Sequence, residues 1–366
     1  MNSERVLAAS AATLGAVFAL ASATALAAKP GGGGSLDPCA TVTDFPSFIY
    51  GVTTASRKSG NSVEIRVADS TGRCSRSLVK GIPGSERRPL LMDLGSGNWR
   101  AVWPDGDSVS ATNDGVVVQD FTVGSGAVVT PGASGRVGTG PARELEAMGD
   151  GGFVYLKTSS TYAGTADALY RVTVSANGPS ALTLTAAELG DVRACDMTLI
   201  AVGPDGDSLY FATFRPDGTL GTIVKKASFS TLTADLQTCG TQVKDVVGGG
   251  TQQLAAGLCG PNTCIALERH NVRNDPCVSD YYRTDVFALD AAQSSVTLQI
   301  AFPSWGSEGE LLGRRTGSTS NNACTAKIYE ELVRYRLGND LSAGPAVAIG
   351  TGRTLDAPNP VNDPPQ

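Results

Sequence analysis

The chain is poor in the residues that enzymes use for acid–base and nucleophilic chemistry. It contains a single histidine, His270, and neither a Gly-x-Ser-x-Gly elbow nor a His-Glu-x-x-His metal motif. A serine–histidine–aspartate triad would therefore have to depend on His270 alone. The sequence predicts no catalytic residue.

Carboxylates are the remaining candidates for a reaction. A calcium-dependent hydrolase needs no histidine, because carboxylate oxygens hold the ion and the ion in turn activates water. The candidate ligands are Glu144, Glu146, Asp191, Asp196 and Asp245. Their convergence on one point does not follow from the sequence, so we expect no metal and no cofactor, with calcium as the alternative.

One stretch of the chain concentrates side chains that dominate binding surfaces. Residues 259–284 read CGPNTCIALERHNVRNDPCVSDYYRT, and Arg and Tyr are enriched in binding hot spots. In a chain of net charge −6 this stretch forms a local positive patch. The predicted binding residues are Arg269, His270, Arg273, Tyr281, Tyr282 and Arg283, together with Trp305, Arg314 and Arg315 further along. The plainer interpretation is a solvated loop, with Trp305 buried in the core.

The amino terminus carries the features of an export signal. An alanine-rich apolar run ends in Ala25-Leu26-Ala27, which places small residues at a cleavage site, so we expect a signal peptide over 1–27. The run is also long enough for a retained membrane anchor. A Gly-rich linker over 28–38 follows, and we expect a periplasmic or secreted protein without membrane insertion after cleavage. The acidic charge disfavours nucleic acid as a partner.

Two kinds of similar segment recur along the exported part. One is a pair of apolar strands around a Gly- and Asp-rich turn, as in WRAVWPDGDSVSAT (99–112), LEAMGDGGFVYLKT (145–158) and LIAVGPDGDSLYFAT (199–213), with weaker copies at 44–54, 243–258 and 301–315. The other is a hairpin of alternating polarity that starts at 63, 116, 169, 222, 286 and 332. Six units of about 53 residues therefore cover 40–350.

Two hairpins in each unit indicate four strands, A to D, as in the blade of a β-propeller. We therefore predict an all-β, six-bladed propeller with four antiparallel strands per blade over 39–352, followed by a Pro-rich tail over 353–366. Both copies of PDGDS, at 104–108 and 204–208, are interpreted as turns between strands A and B, because Asp-Gly supplies the positive φ that short turns need. Their aspartates are expected to be turn residues.

The segments GPDGDSLYF (203–211) and DALYRVTV (167–174) resemble the repeats of TolB-like six-bladed propellers, a family of exported bacterial proteins. The resemblance implies this architecture and a location in the cell envelope. The chain departs from TolB itself in lacking the separate N-terminal domain and in having many more cysteines.

Eight cysteines in an exported chain indicate disulfides, and the absence of any Cys-x-x-Cys pair disfavours structural zinc. The number of pairings open to eight cysteines is 105. Propeller geometry favours Cys259–Cys264 across a turn, Cys277–Cys324 between neighbouring B–C loops, and Cys195–Cys239 at the entry to successive A strands. Cys39–Cys74 is left by elimination.

Propellers bind at the face formed by their D–A and B–C loops, where we expect long loops in blade 5, within 259–284, and in blade 6, at 315–328. The leading hypothesis is a monomeric, non-catalytic module that binds a protein or another component of the cell envelope through this face. The alternatives are a calcium-dependent hydrolase and a structural or assembly component tethered through its termini.

Overall fold

The computed structural model describes residues 37–56, 60–83, 89–105, 115–138, 142–158, 166–178, 180–271, 281–289, 294–306, 309–318, 328–351 and 359–362. From residue 38 onward they belong to one compact unit, Pro38–Gln366. The predicted signal peptide and most of the predicted linker lie outside the described residues. No helix among the residues described is long and apolar enough to cross a membrane.

Within the described residues, 24 strands form the six four-stranded blades that the sequence predicts. The first three blades contain β1 (Phe48–Ser56), β2 (Gly60–Ala68) and β3 (Ser75–Pro83) in blade 1; β4 (Leu90–Asp93), β5 (Asn98–Asp105), β6 (Gly115–Gly124) and β7 (Val128–Val137) in blade 2; and β8 (Ala142–Ala147), β9 (Phe153–Lys157), β10 (Ala168–Ala176) and β11 (Leu182–Asp191) in blade 3.

The last three blades follow the same plan. They contain β12 (Met197–Val202), β13 (Ser208–Phe214), β14 (Gly221–Ser228) and β15 (Thr241–Val247) in blade 4; β16 (Gly250–Cys259), β17 (Asn262–Asn271), β18 (Tyr281–Ala288) and β19 (Ser295–Leu298) in blade 5; and β20 (Ala301–Trp305), β21 (Glu310–Ser318), β22 (Ile328–Arg336) and β23 (Val347–Thr351) in blade 6. One short helix, α1 (Leu232–Gln237), and the 3₁₀ turns Ser125–Ala127, Arg193–Cys195 and Phe229–Thr231 connect strands.

The final strand, β24 (Asn359–Asn362), closes the ring. It pairs antiparallel with β1, so that it becomes the innermost strand of blade 1, and it also pairs in parallel with β4 of blade 2. Blade 1 therefore takes three strands from the beginning of the chain and one from its end. These four residues lie inside the stretch that the sequence analysis assigned to a tail.

The innermost strands β4, β8, β12, β16, β20 and β24 contact one another in succession around the centre. The core is correspondingly divided among the seams between adjacent blades, because each blade must bury both faces against its neighbours. Six apolar clusters fill these seams, one for each pair of neighbouring blades. Counted over the described residues, the smallest of the six is the cluster between blades 6 and 1, built from Phe48, Ala68, Leu312, Leu332 and Ile349.

The predicted hairpins of alternating polarity are strands C and D in five of the six blades. In blade 4 the prediction is wrong for the second arm, since residues 232–237 form α1 and strand D follows at β15. Leu232 and Leu236 of this helix pack into the seam between blades 3 and 4. The apolar side chains that suggested a strand are thus part of the core, but they lie on a helix.

The two copies of PDGDS do not occupy equivalent places, which corrects the sequence interpretation. The second copy is the A–B turn between β12 and β13, where Asp205 Oδ1 accepts from the amide of Ser208 at 2.8 Å. Asp207 Oδ1 accepts from the amide of Ser230 at 2.9 Å, so both aspartates are turn residues as predicted. In the first copy Pro104 and Asp105 end β5, a B strand, and the rest lies outside the described residues.

Three of the four expected disulfides are confirmed. Cys39–Cys74, Cys195–Cys239 and Cys259–Cys264 are bonded, with Cα atoms 4.8, 5.2 and 5.8 Å apart respectively. The reason given for the second pair was wrong, because Cys239 precedes β15, the outermost strand of blade 4, and not an A strand. Cys277 and Cys324 lie outside the described residues.

Candidate functional site

The innermost strands are irregular near their beginnings. Bulges interrupt β8 at Glu144, β12 at Thr198, β16 at Gln252 and β20 at Phe302. Glu144 and Phe302 also have left-handed backbones, with φ of 49° and 53°. Bulges re-aim side chains and are common beside functional sites. Four neighbouring blades therefore share a distortion around the central channel.

A hydrogen bond links two of these strands across the intervening blade. Gln253 on β16 donates from Nε2 to Glu144 Oε2 at 3.0 Å, and β8 and β16 belong to blades 3 and 5. Gln253 is buried. The channel thus holds a polar contact at this level.

Two of the remaining candidate carboxylates, Asp191 and Asp245, lie on the outermost strands of blades 3 and 4, away from this contact. Asp191 bonds its own neighbour Arg193, and hydrogen bonds from Arg193 lower the pKa of Asp191 to about 2. Asp245 pairs with Arg215, and Asp196 has a left-handed backbone at the end of a 3₁₀ turn. Among the described residues no group of three or more His, Cys, Asp or Glu side chains could hold a metal ion.

The predicted binding stretch of blade 5 is not one long loop. Residues 262–271 form β17, so the segment proposed as an insertion contains strand B, and Cys259–Cys264 spans the tight A–B turn. The length of this polar stretch suggested a loop, but it contains the apolar residues Ile265, Ala266 and Leu267, which belong to β17 and are buried in the seams.

The structure brings several of the predicted residues together at one end of two paired strands. Arg269 lies opposite Arg283, His270 opposite Tyr282, and Asn271 opposite Tyr281 in the register of β17 and β18. The connection between these strands, including Arg273, lies outside the described residues. The binding roles of His270, Arg273, Tyr281 and Tyr282 stay predictions.

Arg269 stabilises the fold through an ion pair and two hydrogen bonds to backbone carbonyls. Its guanidinium is buried, pairs with Asp285 at 2.7 Å, and donates from Nη2 to the carbonyls of Val247 and Gly248 at 2.9 and 2.5 Å. It therefore fixes the connection from blade 4 to blade 5. Charged hydrogen bonds of this kind are strong where water is excluded.

The other predicted residues belong to the blade 5–6 seam and to blade 6. Trp305 is buried between blades 5 and 6, as in the interpretation that placed it in the core. Its indole Nε1 donates to the Ala255 carbonyl at 3.3 Å. Arg314 stacks over the Phe302 ring at 4.6 Å. Arg315 donates from Nη2 to Glu331 at 2.6 Å. These three side chains thus have contacts within the protein.

Three exposed apolar residues at the end of blade 4 beside Arg269 were not predicted from the sequence. Phe214 ends β13, Leu220 precedes β14, and Val247 ends β15, with exposures of 57, 75 and 67%. We call these three residues the blade 4 rim. The Gly248 amide donates to the Leu220 carbonyl at 2.8 Å, which joins the B–C loop to the strand that carries Val247. The sequence does contain a sign of the blade 4 rim: the apolar residues Phe214 and Leu220 flank Arg-Pro-Asp-Gly-Thr, a turn that is otherwise polar.

Charged side chains border the blade 4 rim. Arg215 bonds Asp217 at 3.0 Å and also pairs with Asp245. Hydrogen bonds from Arg215 and Thr219 hold the pKa of Asp217 well below its usual range. The loop therefore keeps a fixed shape while its apolar side chains face solvent.

No family model matches the chain, and no curated protein matches it. Among solved structures, it is similar to a candidate 6-phosphogluconolactonase of Bacteroides fragilis, with 11% identity, coverage of 86% of this chain and 83% of that chain, and a TM-score of 0.40. For Sqt1 of Chaetomium thermophilum the identity is 12%, both coverages are 86%, and the TM-score is 0.39. For a Trypanosoma rangeli sialidase the identity is 12%, the coverage is 79% of this chain and 50% of that chain, and the TM-score is 0.38.

Similarities with such low identities and TM-scores show neither the activity nor the family of this chain. The six-bladed architecture rests on the strand order of the chain itself. The resemblance to TolB-like repeats stays a prediction.

Proposed function

We propose that this chain is an exported, non-catalytic binding module that engages a protein partner through the blade 4 rim and the adjoining strand ends of blade 5. Export is supported by the three disulfides, which persist in oxidising compartments. The partner is accordingly a protein of the cell envelope or of the extracellular space, and the TolB-like repeat pattern fits the same location.

The observation that carries this proposal is the location of three exposed apolar residues at one end of blade 4. Among the described residues, seven large apolar side chains are exposed, and three of them form the blade 4 rim. The other four, Leu94, Val128, Leu258 and Val347, are scattered over blades 2, 5 and 6. Single exposed apolar residues are ordinary on protein surfaces, whereas a group with a polar border is typical of an interaction site.

The rim is suited to a preformed interface. Arg215 and Asp217 order the B–C loop, and Arg269 anchors the backbone beside Val247. A surface that is ordered before binding loses little conformational entropy on association. An apolar centre with charged side chains at its border is also the usual anatomy of a protein interface.

A capture experiment with matched variants tests the proposal. The full exported chain and its Phe214→Ser/Leu220→Ser variant are each used as bait with extracts of envelope and secreted proteins, and Leu258→Ser serves as the control. Leu258 is 45% exposed and is the next-to-last residue of β16, so its substitution removes exposed apolar area away from the rim. We expect capture of one protein to fall at least tenfold for the double variant and to persist for the control.

Equal capture by all three baits would show that the rim is not the interface. Size-exclusion chromatography of the bait alone tests whether a second copy of the chain binds to the rim. A dimer that dissociates in the double variant would mean that a second copy of the chain covers the rim, and this outcome would replace the proposal.

A further inference from the structure

We infer that Arg283, held beside Arg269, binds the carboxylate of a partner's carboxyl-terminal residue, whose apolar side chain rests on the blade 4 rim. This inference rests on the proposed function, because it names the part of the partner that reaches the surface. It depends on four features: the strand register, the local charge balance, the hydrogen bonds of the two guanidinium groups and the adjoining apolar rim.

The register places two arginines on the same face of blade 5. Arg269 on β17 lies directly opposite Arg283 on β18, and side chains of directly opposed residues are neighbours. Two like charges in this position repel each other unless an anion lies between them or beside them. The pair therefore creates a local demand for negative charge.

One carboxylate supplies part of that charge. Asp285 lies two residues beyond Arg283, so its side chain is on the same face. Its Oδ2 accepts from Arg269 at 2.7 Å, and its Oδ1 accepts from Thr297 Oγ1 at 2.7 Å. The Nε of Arg283 lies 3.8 Å from Asp285 Oδ1, which is too long for a hydrogen bond. Among the described residues, the single charge of Asp285 is thus shared by two arginines, hydrogen-bonded to Arg269 and only in ion-pair contact with Arg283, and one positive charge is left over.

The hydrogen bonds support the same conclusion. The Nε atoms of Arg269 and Arg283 are buried and have no acceptor among the described residues. Buried donors without acceptors are rare in proteins, because a donor that loses water and gains no partner is destabilising. The side chain of Arg283 is 30% exposed, whereas that of Arg269 is only 10% exposed. Arg283 is therefore the guanidinium that an incoming anion can reach.

The neighbouring apolar rim selects the kind of anion. Arg269 lies opposite Thr251, whose hydroxyl contacts that of Thr222 in blade 4. Phe214 lies opposite Thr222, so this exposed rim residue is on the face of blade 4 that is directed toward the arginine pair. A carboxyl-terminal residue combines a planar carboxylate with an adjacent apolar side chain and matches both features within one residue. A guanidinium binds a carboxylate through two parallel hydrogen bonds, which also fixes its orientation.

Thermal unfolding in the presence of three small probes tests the inference. The probes are N-acetyl-L-leucine, N-acetyl-L-leucinamide and N-acetylglycine, each compared with sodium chloride at equal ionic strength. We expect N-acetyl-L-leucine at ten times its Kd to raise the Tm by about 2 °C, the amide to have no effect, and N-acetylglycine to act more weakly. Arg283→Gln should abolish the response to N-acetyl-L-leucine.

Arg171→Gln is the matched control. It removes a guanidinium that bonds Asp150 at 2.6 Å in blade 3, and the response to N-acetyl-L-leucine should persist. A direct readout is the Nε–H resonance of Arg283 in an NMR titration, which should shift with the acid and stay unchanged with the amide. Equal responses to acid and amide, or an undiminished response in Arg283→Gln, would overturn the inference.

The two proposals can fail separately. If the rim is not an interface, the Phe214→Ser/Leu220→Ser variant still captures its partner, whatever the probes do. If the rim binds a partner that does not present a carboxyl terminus, capture falls for that double variant and persists for Arg283→Gln. The second result refutes the inference and leaves the proposed function intact.

Discussion

Replacing Gly257 by alanine tests how the seam between blades 5 and 6 is packed. A Cβ atom at Gly257 would lie 2.4 Å from Cγ and 2.7 Å from Cδ2 of Trp305, where ordinary contacts are about 3.4 Å or longer. The indole is 6% exposed and is held by its hydrogen bond to Ala255, so it cannot move aside freely. Overpacking of this kind costs roughly 1–3 kcal/mol.

Removing a glycine from a strand would otherwise stabilise the protein by about 0.4–1 kcal/mol, because the unfolded chain loses freedom. From the midpoints of these two ranges we expect a net loss of about 1.3 kcal/mol in the free energy of unfolding, measured by urea denaturation monitored through tryptophan fluorescence. Gly250→Ala is the control on the same strand, since its Cβ would meet nothing within 4 Å. It should be neutral or slightly stabilising.

The double variant Gly257→Ala/Trp305→Leu separates crowding from other effects. A leucine leaves room for the added methyl, so Gly257→Ala should cost less in the Trp305→Leu background, with a coupling of at least about 0.5 kcal/mol. Because this background lacks Trp305, unfolding is followed by circular dichroism in all four proteins. A Gly257→Ala protein as stable as the wild type would refute the packing that we describe for Trp305.

Three further predictions concern the same framework. Cys195→Ser/Cys239→Ser should lower the free energy of unfolding by about 4 kcal/mol, the chain-entropy value for a separation of 44 residues, and a loss below 1 kcal/mol in urea titrations would contradict that account. Asp191 has a folded pKa of about 2, below its unfolded value of about 3.9, so the stability that wild type has over Asp191→Asn should be present above pH 4 and disappear as the pH falls through 2. Unfolding curves between pH 2 and 6 measure that difference, and a constant difference would exclude the linkage. Truncation after Thr351 removes β24 and should speed amide hydrogen exchange mainly in its partners β1 and β4, whereas uniform acceleration would mean that the whole ring had opened.

The repeated hairpins were predictable because each blade obeys the same local physics. Alternating apolar residues mark strands that bury one face in a seam, and Gly- and Asp-rich turns mark where they end. This reasoning located strands C and D of most blades, and it provided the blade count. It failed at residues 232–237, where the same apolar content forms a helix that covers a seam.

Turn sequences were a weaker guide to position in the blade. The tripeptide Pro-Asp-Gly occurs at 104–106, 204–206 and 216–218, and the second is an A–B turn while the third connects B to C. Asp-Gly stabilises a tight turn wherever the chain reverses, so it carries no information about which strands are joined. This is why the two copies of PDGDS seemed equivalent.

The candidate site was only partly accessible to sequence reasoning. The prediction identified Arg269 and Arg283, but it did not separate the buried, structural Arg269 from the reachable Arg283, because that difference arises from Asp285 and from the carbonyl of Val247. The blade 4 rim was missed because Val247 is distant in sequence from Phe214 and Leu220. The pairing of Val247 with Gly221, next to Leu220, places it at the same end of blade 4.

The way β24 completes blade 1 affects the order of assembly. In a chain made from its amino terminus, β1 to β3 emerge first, and the inner edge of β1 stays without its partner until residues 359–362 arrive. Exposed strand edges are templates for pairing with other chains, and contacts so distant in sequence form slowly. Newly made molecules thus pass through a period in which the half-built blade is open to intruding strands, and a holding chaperone would be most valuable during that interval.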